Sequence, residues 1–152
     1  MAKSYYFHKI DIKSNFKQVV DDIFSDTTIY EDLQTDVYTI ANKKQERTTF
    51  PCIYIDVVSV ESAYDMDSST SIQRYSDFTI SFDIYSKNLK KYAQDDAVAR
   101  IAEYLIDGLQ QKYNCLVLEY DRPLPNLDRT VSREQVRFTG TMDNSSNFIY
   151  SR

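Results

Sequence analysis

The stretch Tyr75–Tyr85, YSDFTISFDIY, decides the fold. Phe78, Ile80, Phe82 and Ile84 alternate with Asp77, Thr79, Ser81 and Asp83, the period of two that a half-buried strand requires. Such a strand belongs to an antiparallel sheet with one covered face and one wetter face. Upstream, CIYIDVVSV (Cys52–Val60) supplies its hairpin partner. It is entered at Pro51, which lacks the N–H that a ladder interior needs. Ile53, Ile55 and Val57 are expected on one side of it, and Tyr54, Asp56, Val58 and Val60 on the other. The polar segment Glu61–Arg74 joins the two strands, at a length where loops are functional or mobile.

Working outward, Phe16, Val19, Val20, Ile23 and Phe24 share one helical face, which predicts a helix over about 14–25 capped at Asp11 or Ser14. Thr27–Asp36 reads as a polar connection and Val37–Ala41 as a short strand. A second helix follows Ser86-Lys87-Asn88 and ends at Tyr113-Asn114. Its stripe is Ala97, Val98, Ile101, Ala102, Leu105, Ile106 and Leu109. Gly108 inside it costs about 1 kcal/mol relative to Ala, and close packing is a reason to keep it. A strand follows in which Leu116, Leu118 and Tyr120 share a face. Arg122–Asp128 then reads as a rigid turn, Val131–Met142 as a strand, Asp143–Asn147 as a polar turn and Phe148–Tyr150 as a last short strand. This order predicts a single α+β domain over 1–152. It has one antiparallel or mixed sheet with a long central hairpin and two helices packed on one face.

Composition narrows the function. The chain has 152 residues, net charge −5, 13 Tyr, two Gly, two Cys and one His. Two Gly exclude a glycine-rich phosphate cradle, because backbone cannot approach a pyrophosphate closely without them. His8 alone cannot supply a two-His metal site. Cys52 and Cys115 are too few for a zinc ribbon and too far apart for a redox pair, so both read as buried thiols used as small hydrophobes. No apolar run is long enough to cross a membrane. Asp21/Asp22 and Asp95/Asp96 are adjacent on helices and point about 100° apart. Asp77 and Asp83 lie roughly 20 Å apart along one strand. Neither arrangement presents two carboxylates to one bond. Ser68–Ser71 have no nucleophile elbow or base. The expectation is no enzyme, no cofactor and no resident metal. Asp65 and Asp67, with Glu61, would make only a weak oxygen site or a partner contact.

The arginines say more. Arg129, Arg133 and Arg137 recur every four residues after Arg122, and on a strand they share one face with Gln135. Guanidinium groups so arranged suit carboxylates on a partner, or phosphate, unless they simply solvate an outer sheet face. The negative net charge disfavours nucleic acid as a bound ligand. Tyr54, Tyr75, Tyr85 and Tyr120 lie on strands or strand ends and suit subunit contact, since one end can be dry and the other hydrogen-bonded. A closed ring would let each sheet edge meet a neighbour.

Three stretches carry a resemblance: FPCIYIDVVSVES (Phe50–Ser62), DFTISFDIYSKN (Asp77–Asn88) with the long helix after it, and RPLPNLDRTVSREQVRFTGTMD (Arg122–Asp143) followed by Phe148–Tyr150. Together, over roughly residues 50–150, they resemble the tail-terminator and tail-completion proteins of long-tailed phages. In that family a loop with Pro and Asn leads into a strand with an early Arg and then an Arg–aromatic pair, here Asn126, Arg133 and Arg137-Phe138. The resemblance implies a virion protein that assembles in the host cytoplasm as a homo-oligomeric ring, typically a hexamer. Such a ring caps the tail tube, stops its polymerisation and contacts the head connector. DNA would pass through its lumen without specific binding, and no membrane is involved. The alternative is a small soluble adaptor that recognises one protein through its sheet face.

Overall fold

The computed structural model describes residues 5–41, 49–63, 75–113, 115–143 and 149–150. In chain order these form α1 (Tyr5–Phe24), α2 (Thr27–Leu33), β1 (Tyr38–Ile40), β2 (Cys52–Ala63), β3 (Tyr75–Ser86), α3 (Gln94–Lys112), β4 (Val117–Asp128), β5 (Val131–Asp143) and β6 (Ile149–Tyr150). The sheet order is β1-β2-β3-β5-β4, with β6 pairing β5 beyond the start of β4. Among the described residues only β1–β2 is parallel, so the sheet is mixed around a long antiparallel hairpin.

All three helices pack on one face, giving the α+β architecture that the strand alternation and helical stripes predict. Ile53, Ile55 and Val57 from β2, Phe78, Ile80, Phe82 and Ile84 from β3, and Val136, Phe138 and Met142 from β5 meet Ile12, Phe16 and Val20 from α1 and Ile101 and Leu105 from α3. Phe82 stands at the centre of this layer, edge-on to Phe16 at 6.0 Å and to Phe138 at 6.3 Å between ring centroids. Gly108 has the packing reason expected of it. A Cβ there would lie 2.6 Å from Ile23 Cδ1, so α1 and α3 approach each other through the missing side chain.

β2 continues through Glu61–Ala63, where the long loop was expected to begin, and five further local readings need correction. First, α1 is helical from Tyr5 rather than from about 14. Ile12, fully buried, lies one turn before Phe16 and extends the same stripe. Second, the supposed connection after Thr27 contains α2. Asp26 accepts from Thr28 N at 2.7 Å as its N-cap, and Gln34 closes it at φ 58 in the left-handed region. Third, a register shift between Val57 and Ser59 leaves Val58 extra. Val60 therefore pairs Phe78 and packs against the core instead of facing out. Fourth, a shift between Leu118 and Tyr120 puts these two on opposite faces, Leu118 opposite Phe138 and Tyr120 opposite Arg137. Fifth, Arg122–Asp128 is strand rather than turn, and the reversal is the pair Arg129-Thr130. There Asp128 Oδ1 accepts from Thr130 N at 2.7 Å. Cys52 is buried and Cys115 only half-buried, and neither enters a disulfide.

Candidate interaction surface

The sheet face opposite the helices is where the arginines gather. Alternation along β5 sends Arg133, Gln135 and Arg137 to this face, while Val136 and Phe138 enter the core. The register sets Arg137 between Ser81 and Tyr120, Gln135 between Asp83 and Arg122, and Arg133 between Tyr85 and Leu124. The β4 irregularity is what brings Tyr120 to this side.

A hydrogen-bonded chain then crosses three strands. Tyr120 OH donates to Gln135 Oε1 at 2.7 Å. Gln135 Nε2 donates to Asp83 Oδ1 at 2.8 Å and to Ser81 Oγ at 3.1 Å. Arg133 Nη2 pairs with Asp83 Oδ2 at 3.2 Å, and its guanidinium lies over the Tyr85 ring. Arg133 is thus neutralised inside the molecule.

Arg137 and Arg122 are not. The Arg122 guanidinium carbon sits 4.2 Å from the Tyr120 ring centroid and that of Arg137 sits 5.0 Å from it. Arg122 Nη2 also reaches Tyr120 OH at 3.4 Å. Among the described residues no carboxylate pairs with either, and Arg137 Nε is buried without an acceptor. Two cations therefore flank one tyrosine that is held in place from behind by Gln135.

The remaining predicted positions separate. Tyr54 and Tyr85 are buried with Cys52, Ile40 and Val131 in a second, smaller apolar cluster at one end of this face. They are core residues here and not available contact residues, because Val131 and Ile40 supply the dry surroundings that a neighbour was expected to bring. Arg129 occupies the β4–β5 turn outside the strand face, and its carbonyl accepts from Gln94 Nε2 at 3.1 Å. The Tyr75 backbone lies in β3, while its side chain and both Asp65 and Asp67 lie outside the described residues. Asp77 accepts from Thr141 Oγ1 at 2.7 Å and so stabilises the β3–β5 seam.

The sheet edge beside this cluster is blunted. β4 carries Pro123 and Pro125, an extra residue at Glu119 and the exposed charges Asp121 and Arg122. Each of these devices obstructs the addition of another strand.

Two polar clusters escaped the sequence reading. Asp32 on α2 accepts from Tyr104 OH at 2.5 Å, Tyr92 OH at 2.6 Å and Arg100 Nε at 3.0 Å. The Tyr104 hydrogen bond, then that of Tyr92, lowers the Asp32 carboxyl to about 2, with Arg100 adding to the effect. The same bonds raise both tyrosines, burial leading at Tyr104 and the Asp32 hydrogen bond at Tyr92. This cluster clamps α2 to α3. Its only sequence signal was Ile29 and Leu33 four apart behind the cap Asp26. The second cluster is Glu134, on the helix side of β5 and buried. Burial, then a hydrogen bond with Asp121, pushes its carboxyl up to about 7.

A groove of about 690 Å³ runs between α1, α2 and α3, floored by Val19, Ile23 and Ile29 and rimmed by Asp22, Asp26 and Asp107. Among the described residues no group of three or more His, Cys, Asp or Glu could hold a metal ion, and no helix is long and apolar enough to cross a membrane. No protein-family model matches the chain, and no curated protein matches it.

Proposed function

We propose that this chain is a structural subunit of the neck or tail end of a long-tailed phage. It closes into a homo-oligomeric ring, a hexamer in the family it resembles, which caps the tail tube, stops its polymerisation and offers a surface to the head connector. The observation that carries the reading is the asymmetry of the layers. All three helices cover one sheet face, while the other presents Tyr120 with Arg122 and Arg137 and has a blunted strand edge beside them. Aromatic and Arg side chains on a face that no described helix covers are the composition of a contact surface. A net charge of −5 suits a ring that lets DNA through without gripping it. The protein acts in the virion, after assembly in the host cytoplasm.

Native mass measurement of the purified protein, alone and mixed with tail-tube subunits, tests the proposal. A closed oligomer, or a monomer that joins tube ends, is the expected result. A strict monomer indifferent to tube ends would remove the ring reading and leave the adaptor, which uses the same face without self-assembly.

A further inference from the structure

We infer that the Arg122–Tyr120–Arg137 cluster is a receptor for carboxylates on an acidic peptide segment of a partner protein. A half-buried guanidinium normally has its counter-charge built in, because desolvating a cation costs free energy that a paired anion offsets. Arg133, one residue pair away on the same face, follows that rule through Asp83. Arg137 does not: no carboxylate reaches it among the described residues, and its Nε, like that of Arg133, is buried without an acceptor. Beside it Arg122 approaches the same tyrosine ring from 4.2 Å. Both guanidinium groups are attracted to the electron-rich ring, which holds two like charges in one place. An incoming anion relieves their repulsion and meets donors that are already oriented, so little ordering entropy is lost on binding.

The neighbourhood selects the class of anion. Exposed Glu119 adjoins Tyr120 on β4, and the whole chain is acidic. A continuous phosphate backbone would meet repulsion from this acidic chain along its length, whereas one or two carboxylates on a peptide need meet only the two arginines. Planar, forked guanidinium groups also match a carboxylate two bonds at a time. The exposed Val117, on the same face of β4, offers apolar contact next to the charges. This assignment does not depend on ring assembly, since it is read on the isolated chain with a synthetic ligand.

The test is a fluorescence-anisotropy titration at low salt with three labelled probes: a peptide of alternating Glu and Gly, its Gln counterpart, and a single-stranded DNA oligonucleotide. The expected result is saturable binding of the Glu peptide, weakened by added salt, with the Gln peptide at least tenfold weaker. Arg122→Gln with Arg137→Gln should reduce Glu-peptide affinity at least tenfold at an unchanged melting temperature. Arg129→Gln, in the exposed turn, should leave it unaltered. In the wild-type protein, amide shifts caused by the peptide should centre on residues 117–122 and 135–139, a readout that needs no variant. The assignment is overturned by no saturable Glu-peptide binding, by binding unchanged in the double variant, or by shifts centred elsewhere. An oligonucleotide that binds more tightly through the same two arginines also overturns it, in favour of nucleic acid.

Discussion

At the residue scale, identical residue types acquire opposite roles from one neighbour. Arg133 and Arg137 stand on the same strand face, yet only Arg133 meets an aspartate. Carboxylates divide in the same way. Asp32 is held ionised by two hydroxyls and a guanidinium, while Glu134 is driven toward its neutral form by burial and by Asp121. The signs of their pH effects therefore differ. Asp32 is lowered on folding from 3.8 to about 2, so its stabilisation is complete above 3.8 and is lost as pH falls through about 2. Asp32→Asn should lower stability at neutral pH and flatten the acid limb of a urea-midpoint profile over that window. An unchanged acid limb would show that the clamp does not titrate as described. Glu134 is raised from 4.5 to about 7, so the unfolded chain ionises first and stability falls as pH rises through that interval. Glu134→Gln should be close to neutral below it and stabilising above it, by on the order of 1 kcal/mol. Denaturant titrations on either side of the interval check the reversal. None of these environments is written in local sequence, since Asp32 is separated by 60 to 72 positions from the tyrosines that bind it.

At the element scale, the helical stripes and strand alternation were legible because each buries a whole face of one element. The boundaries and irregularities were less so. The extra residues at Val58 and Glu119 each reverse the facing of the residues downstream, and no residue type at these positions announces that. The β4 strand was hidden by Pro123 and Pro125, which an edge strand tolerates and a central strand does not. The α1–α3 contact is more predictable and gives a sharp test. Gly108→Ala gains about 1 kcal/mol of helix propensity but drives its Cβ into Ile23, an overpacking cost of about 1–3 kcal/mol. The expected net effect is a loss of up to about 2 kcal/mol. In an Ile23→Ala background the same change should stabilise, by about 1 kcal/mol. Thermal or urea denaturation of the four proteins measures both signs, and a Gly108→Ala effect that ignores residue 23 would dismiss the close approach.

At the scale of the whole molecule, the layers are bound through shared aromatic side chains. Phe82 contacts the ring of Phe16 from α1 and that of Phe138 from β5, so it joins a helix to two strands. Phe82→Ala should cost about 3–5 kcal/mol. The loss should appear as one cooperative transition by both helix and aromatic signals. Separate transitions would mean that the helix layer and the sheet unfold independently. The sheet's other face is held by a different principle, a polar relay from Tyr120 through Gln135 to Asp83, with the small cluster around Tyr85 at one end. That division leaves Arg122 and Arg137 without a paired carboxylate among the described residues.

Two Gly and one His by themselves exclude phosphate cradles and multi-His sites, because those chemistries need residue types the chain hardly has. The periods of two and of 3.6 likewise determined an α+β sheet with helices on one side, since periodicity is a local property of the chain. Which arginine is paired, and which tyrosine is core, was decided only when β3, β4 and β5 came together. Tyr85 is closed off by residues from other strands, and Tyr120 is turned outward by a single extra residue. The grouping of Tyr120, Arg122 and Arg137 is a property of strand register, and register is settled by packing across the whole sheet.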